Sequence, residues 1–201
     1  MRIDRIELRH IKMQLVAPFE TSFGVESVEE HIIVRVDAEG ITGWGECVAS
    51  ADPFYSYETN QTAWHILHDY LIPAVLGKDI PNVDDAIEKW GRVRGHNMAK
   101  AGLESALWDL FAKAHGVSLS KILGGTRERI HVGVSIGIQS SPAVLVERVD
   151  GYLREGYQRI KLKIAPGRDL PFVRAVRQAF PHILLQVDAN SAYTLEDADI
   201  F

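Results

Sequence analysis

Two lysines one residue apart, and an aspartate and asparagine one residue apart, are the side chains whose types and spacing could do chemistry: Lys161 and Lys163, then Asp188 and Asn190. In the run Arg159 to Ile164, Ile160, Leu162 and Ile164 alternate with the two lysines, so a strand's two-residue period puts both ammonium groups on one face. The run Leu184 to Asn190 repeats the pattern, with Leu185 and Val187 facing one way and Gln186, Asp188 and Asn190 the other. If the apolar faces pack on outer helices, two cations and a carboxylate converge on the inside of a sheet or barrel. Such a cluster can move a proton and can stabilise the anion left behind. The competing reading leaves Lys161 and Lys163 on the wet face of a half-exposed strand. Lys-x-Lys alone does not separate the two; the flanking pattern and the Asp-x-Asn strand end favour the interior.

The elements that must position these groups are legible around them. Leu170 to Phe180 carries Leu170, Val173 and Val176 at helical spacing between the two strands, which makes a parallel βαβ unit with a right-handed connection. Upstream, His131 to Ile138 alternates Val132, Val134, Ile136 and Ile138 against His131, Gly133, Ser135 and Gly137, a strand with a small, polar inner face. Pro142 to Glu155 reads as its helix, and Thr194 as the N-cap of another, with Asp197 at the capping-box position. Three βα units in tandem predict the opening of a longer α/β array.

The first half has a different texture. Arg2 to Val16 predicts a long strand, and His31 to Ala38 with Ile41 to Ala49 a hairpin across Glu39-Gly40. Between them lies a stretch with Pro18, Phe19, Thr21, Ser22, Phe23 and Gly24, read as a loop that either tucks its phenylalanines into the core or covers a ligand as a mobile lid. Asp52 to Ser56, with Phe54 and Tyr55, is a second aromatic loop. Glu58 to Leu76 predicts a helix with Trp64, Leu67, Leu71 and Val75 on one stripe and Pro73 bending or ending it. Asn82 to Val93 is a shorter helix. Met98 to His115 is the strongest, and its small residues predict close contact with another element. Cys47 reads as a buried small residue, Glu104 and Asp109 as structural hydrogen-bonders. His65 and His68 lack a third metal ligand, and Gly124-Gly125 lacks the phosphate-loop patterns.

The 201 residues allow one or two domains, with 46% hydrophobic and 24% charged side chains, enough to bury a core. The net charge of -5 is spread along the chain and excludes the basic patches of a nucleic-acid binder. The single cysteine fits a reducing compartment. No run of about 18 apolar residues occurs, and the start lacks an apolar signal core, so the expectation is a cytoplasmic protein with neither nucleic acid nor membrane as partner.

In order and spacing, IELRHIKMQLVAPFETSFG, GWGECVA, FYSYET, RGHNMAKAGLESALWDL, GYQRIKLKIAPG and VDANSAYTL resemble the enolase superfamily, in its branch containing o-succinylbenzoate synthase and N-acylamino-acid racemase. The resemblance covers the whole chain. It implies an α+β N-terminal capping domain (1–125) followed by the first βα units of a truncated (β/α) TIM-type barrel (126–201). It also implies roles: Lys163 as the acid-base residue beside a substrate carboxylate, Lys161 as its electrostatic partner, and Asp188 as the first of three carboxylate ligands to Mg2+, with Mn2+ admitted. Asn190 would support Asp188, Ser135 would line the pocket, and Phe19, Thr21, Ser22, Phe23, Phe54 and Tyr55 would cap a small-molecule carboxylate substrate. The implied reaction is syn dehydration through an enediolate to o-succinylbenzoate, a menaquinone-pathway step. N-acylamino-acid racemisation, dipeptide epimerisation and muconate-type cycloisomerisation share the same first step, and the complete enzyme would be a homo-oligomer. One carboxylate is a poor magnesium site and three barrel strands leave an open edge, so the chain by itself is expected to be inactive and prone to associate. A noncatalytic fragment or binding module is the reading from another class.

Overall fold

Alternating apolar and charged side chains carry the first strand, β1 (Arg5–Thr21), well past the predicted end at Val16. It continues through the stretch read as a loop, turns at Ser22-Phe23 and returns as β2 (Gly24–Ala38). The aromatic-hydroxyl segment is therefore the tip of a two-stranded ribbon. Pro18 is accommodated in β1 because proline at a sheet edge removes no obligatory ladder bond. The Glu39-Gly40 turn takes positive φ at both residues, 49° and 80°, the geometry that matches strand twist, and leads into β3 (Ile41–Cys47). β2 and β3 pair antiparallel from Ala38↔Ile41 to Ile32↔Cys47 in a sheet of order β1-β2-β3. The computed structural model describes residues 1–200; Phe201, which the sequence reading placed inside a final helix, lies outside them.

Helices follow as α1 (Asn60–Ile66), a π-helical turn (Leu67–Leu71), α2 (Ile72–Val75), α3 (Val83–Lys89), α4 (Asn97–Ala114) and α5 (Leu119–Ile122). Pro73 has no N–H to give a carbonyl four residues back, and the turn before it widens so that the Ile72 N–H reaches Leu67 O. The buried face runs through Ala63, Leu67, Leu71 and Val75, and Trp64, expected on that stripe, sits one residue off it and is partly exposed. α4 packs on β3 through its small residues: a Cβ added at Gly43 would lie 2.1 Å from Ala106 O, and one at Gly102 2.8 Å from the Cys47 Cβ. Its first turn has no cap of its own, since His96 stands in the left-handed region; the buried Glu58 carboxylate accepts the Met98 and Ala99 N–H groups at 2.9 and 3.1 Å instead. Cys47 is buried, and burial pushes its thiol pKa up, in keeping with a structural role. Asp109 accepts the Trp44 N–H and the Lys113 ammonium, and Glu104 accepts from the Trp108 indole.

The remaining elements are β4 (Gly133–Ile136), α6 (Pro142–Arg154), β5 (Arg159–Lys163), α7 (Leu170–Ala179), β6 (Leu184–Asp188) and a 3-10 turn (Leu195–Ile200). The three strands are parallel in the order β4-β5-β6. Ile136, Ile160, Leu162 and Ile164 form a core with Leu145, Val149 and Val176 of the two helices, as the alternation requires. Thr194 caps the last turn, and Asp197 returns the bond to the Thr194 N–H, although the turn is 3-10 rather than the expected α-helix.

The chain divides into two units, Met1–Gln14 with Val28–Thr126, and Leu15–Ser27 with Arg127–Phe201. The ribbon tip thus belongs with the parallel strands, whereas a division at residue 125 assigns it to the first domain. Among the described residues no helix is long and apolar enough to cross a membrane.

Candidate active site

Parallel register places Ser135, Lys161 and Gln186 abreast on β4, β5 and β6, and Lys163 opposite Asp188 one pleat further on. Period two then sends Lys161, Lys163 and Asp188 to the same face, away from the Ile160–Leu162–Ile164 core. The side chains meet. Asp188 Oδ2 accepts from Lys163 Nζ at 3.0 Å and from Lys161 Nζ at 3.1 Å, and Lys163 Nζ also donates to Asn190 Oδ1 at 2.6 Å. The Lys163 side chain is 10% exposed and that of Lys161 32% exposed, so the two amines differ in access to water.

Chain geometry at the end of β6 orients the acceptors. Asn190 and Ser191 both take positive φ, 48° and 62°, a conformation that side-chain-bearing residues rarely adopt in succession and that concentrates at functional sites. The kink lets the Asn190 N–H donate to Asp188 Oδ1 at 3.0 Å while the Asn190 amide oxygen faces Lys163. The Asp188 carbonyl is held by the Ile164 N–H at 3.0 Å.

Together these donors lower the Asp188 pKa from its ordinary 3.8 to about 2: the Lys163 ammonium contributes most, then the Asn190 N–H, with burial opposing and Lys161 adding a smaller share. Between pH 2 and 4 the unfolded carboxyl binds a proton that the folded one does not. Stability from this group is therefore fully present above pH 4 and is lost as pH falls toward 2. Its size is roughly 2 kcal/mol from the shift. Acid unfolding followed by circular dichroism should show this window, and Asp188→Asn should lack it; parallel curves for the two proteins from pH 4 to 2 would refute the assignment.

Of the other residues singled out from sequence, Ser135 has a buried hydroxyl oxygen with no protein partner, a polar atom available to a ligand on the face that carries Lys161. Ser22 donates its hydroxyl to Ala189 O at 2.8 Å, between Asp188 and Asn190 in the chain. Phe19 lies beside Gly137, at the end of β4, where an added Cβ would be 3.4 Å from its ring. The Thr21 hydroxyl spans the turn to Gly24 O at 3.4 Å, and Phe23 is half-exposed. Phe54 and Tyr55 are exposed in the first unit, in the loop before α1. His65 and His68 both bond Asp69, at 2.6 and 2.5 Å, on an exposed helix surface. Sequence reasoning missed Glu20 and Arg168, which join the ribbon tip to the loop after β5 by an ion pair at 2.7 Å. No local pattern announces a pair 148 residues apart.

Asp188 and the Asn190 amide offer hard oxygen donors of the kind a divalent cation takes, but too few of them. Among the described residues no set of three His, Cys, Asp or Glu side chains is arranged to hold a metal.

Residues 5–124 match the mandelate racemase / muconate lactonizing enzyme N-terminal domain, and residues 144–199 match the enolase C-terminal domain-like family. The chain belongs to the enolase superfamily. Within the superfamily it falls in the o-succinylbenzoate synthase and N-succinylamino acid racemase branch. It is 49% identical over 200 residues to an o-succinylbenzoate synthase of Geobacillus stearothermophilus, covering 99% of this chain and 53% of that protein. An N-succinylamino acid racemase of an Amycolatopsis species is 48% identical over 199 residues, covering 98% and 54%. The crystal structure of an enolase superfamily member from Listeria innocua superposes with a TM-score of 0.92 at 41% identity, covering all of this chain and 54% of that one. The chain thus spans about half the length of the relatives it matches, as an α+β capping domain and the first part of the superfamily's barrel.

Proposed function

We propose that this chain is the capping domain and first barrel segment of an o-succinylbenzoate synthase, a carbon-oxygen lyase that dehydrates a cyclohexadiene carboxylate through an enediolate. The observation that carries the reading is the sharing of one Asp188 oxygen by Lys161 and Lys163 beside the kinked end of β6. Removal of a proton next to a carboxylate creates a second negative charge, which is prohibitive unless cations stand ready for it. In this reading Lys163, the better shielded amine, transfers the proton. Lys161 faces the developing anion. Ser135 offers its unpartnered hydroxyl to the substrate, and Phe19, Thr21, Ser22 and Phe23 at the ribbon tip exclude water from it.

Asp188 is the first carboxylate for a divalent ion, Mg2+ or Mn2+, with Asn190 holding its orientation; when bound, that ion supplies positive charge to the substrate carboxylate. Its other ligands and a second acid-base lysine would come from the part of the relatives' length that this chain does not span. The racemisation of N-succinylamino acids is a second reading, supported by 48% identity to a racemase, close to the 49% to a synthase. Both reactions begin with the same proton abstraction.

The test is to extend the chain to the length of its relatives and assay dehydration and racemisation side by side with each metal. Dehydration that requires added Mg2+ or Mn2+ is the expected result. Racemisation without dehydration would replace the first reading by the second, and neither activity would remove both.

A further inference from the structure

Three ties among the described residues hold the β-ribbon tip to the ends of the parallel strands, and one of them is a charged pair with no role in the chemistry above. Glu20 O accepts the Ile138 N–H at 2.8 Å just beyond β4, and Ser22 Oγ donates to Ala189 O at 2.8 Å just beyond β6. The third point is Arg168. Its Nη1 donates to Glu20 Oε1 at 2.7 Å and its Nη2 to Gln139 O at 2.8 Å, so one planar guanidinium bridges the ribbon and the end of β4. Arg168 is itself held: its N–H donates to Ala165 O at 2.8 Å across a turn in which Gly167 has a φ of 78°. The Glu20 backbone sits so close to Gly137 that an added Cβ there would meet Glu20 N at 2.9 Å.

We propose that Arg168 and Glu20 are a positioning pair that latches the ribbon tip onto the ends of β4 and β6 and thereby sets substrate affinity without touching substrate. The proposal rests on the functional reading above, in which Phe19, Thr21, Ser22 and Phe23 cover the substrate and exclude water from it. Glu20 alternates with Phe19 and Thr21 along the strand, so anchoring its side chain on one face orients theirs on the other. The loop that supplies the latch follows β5 directly, and the lysines and the ribbon anchor are therefore carried by one βα unit. Both partners are partly exposed, 39% and 33%, so added salt weakens the latch.

Hydrogen exchange read by mass spectrometry on Arg168→Met, Glu20→Gln and the double variant tests the latch independently of activity. Exchange across Leu15–Ser27 should rise about tenfold in each single variant and no further in the double, while α4 stays at its original rate. Exchange within about twofold of the parent in both single variants, or additive increases in the double, overturns the latch. In the extended enzyme the same variants should raise KM about tenfold with kcat within about twofold. Raised exchange with an unaltered KM overturns the positioning role. An unmutated enzyme that turns over neither substrate sinks the functional reading instead, and the exchange data still decide the latch.

Discussion

Lys163→Ala in the extended enzyme lowers kcat by about 10^3-fold or more, with KM changed by no more than a few fold. The expectation follows from where the amine sits: 10% exposed, 3.0 Å from Asp188 and 2.6 Å from Asn190, on the strand face opposite the core. A methyl group in its place cannot take or give a proton, and water cannot readily substitute in so shielded a position. The hydrophobic partners Ile160, Leu162 and Ile164 are untouched, so the fold survives. The same substitution removes the largest cause of the low Asp188 pKa, which moves up toward 3.8 and narrows the acid-unfolding window. Steady-state kinetics and acid titration of one purified variant therefore report two consequences of one contact. A kcat within tenfold of the parent ends the assignment of Lys163 as the acid-base group.

Gly45→Ala costs about 3 kcal/mol of stability or more, a large share of what a domain of this size has. A Cβ at residue 45 would stand 2.2 Å from Gly102 O and 2.6 Å from Ala106 N. These are backbone atoms of α4, and the helix cannot yield at one residue without shifting as a body. β3 would have to lift from α4, opening the core that Leu103, Leu107 and Leu110 share with Val34 and Val36 of the adjoining strand. Gly24→Ala is the matched control, because nothing lies within 4 Å of its added Cβ. Urea unfolding of the two variants should separate them by most of that energy; equal midpoints would show that the helix-strand contact is looser than it stands.

The face on which Lys161, Lys163 and Asp188 lie was legible from alternation, because a strand's period is a local property of the backbone and one oily face has only one place to go. The same holds for the Glu39-Gly40 turn, for α4 with its stripe of small residues, and for the parallel βαβ units. The resemblance to the enolase superfamily was equally legible, since motif order and spacing survive without coordinates. Tertiary structure decided what depends on residues far apart in the chain. It set the shared Asp188 oxygen and the low pKa that follows, and the glycines of β3 that receive α4. It made the stretch read as a loop into a ribbon tip, tied by Ser22 to Ala189 across 167 residues and by Glu20 to Arg168 across 148. Such contacts leave no period in the sequence: each is one bond between two surfaces brought together by the burial of other residues, and its partner is known only when the chain has folded.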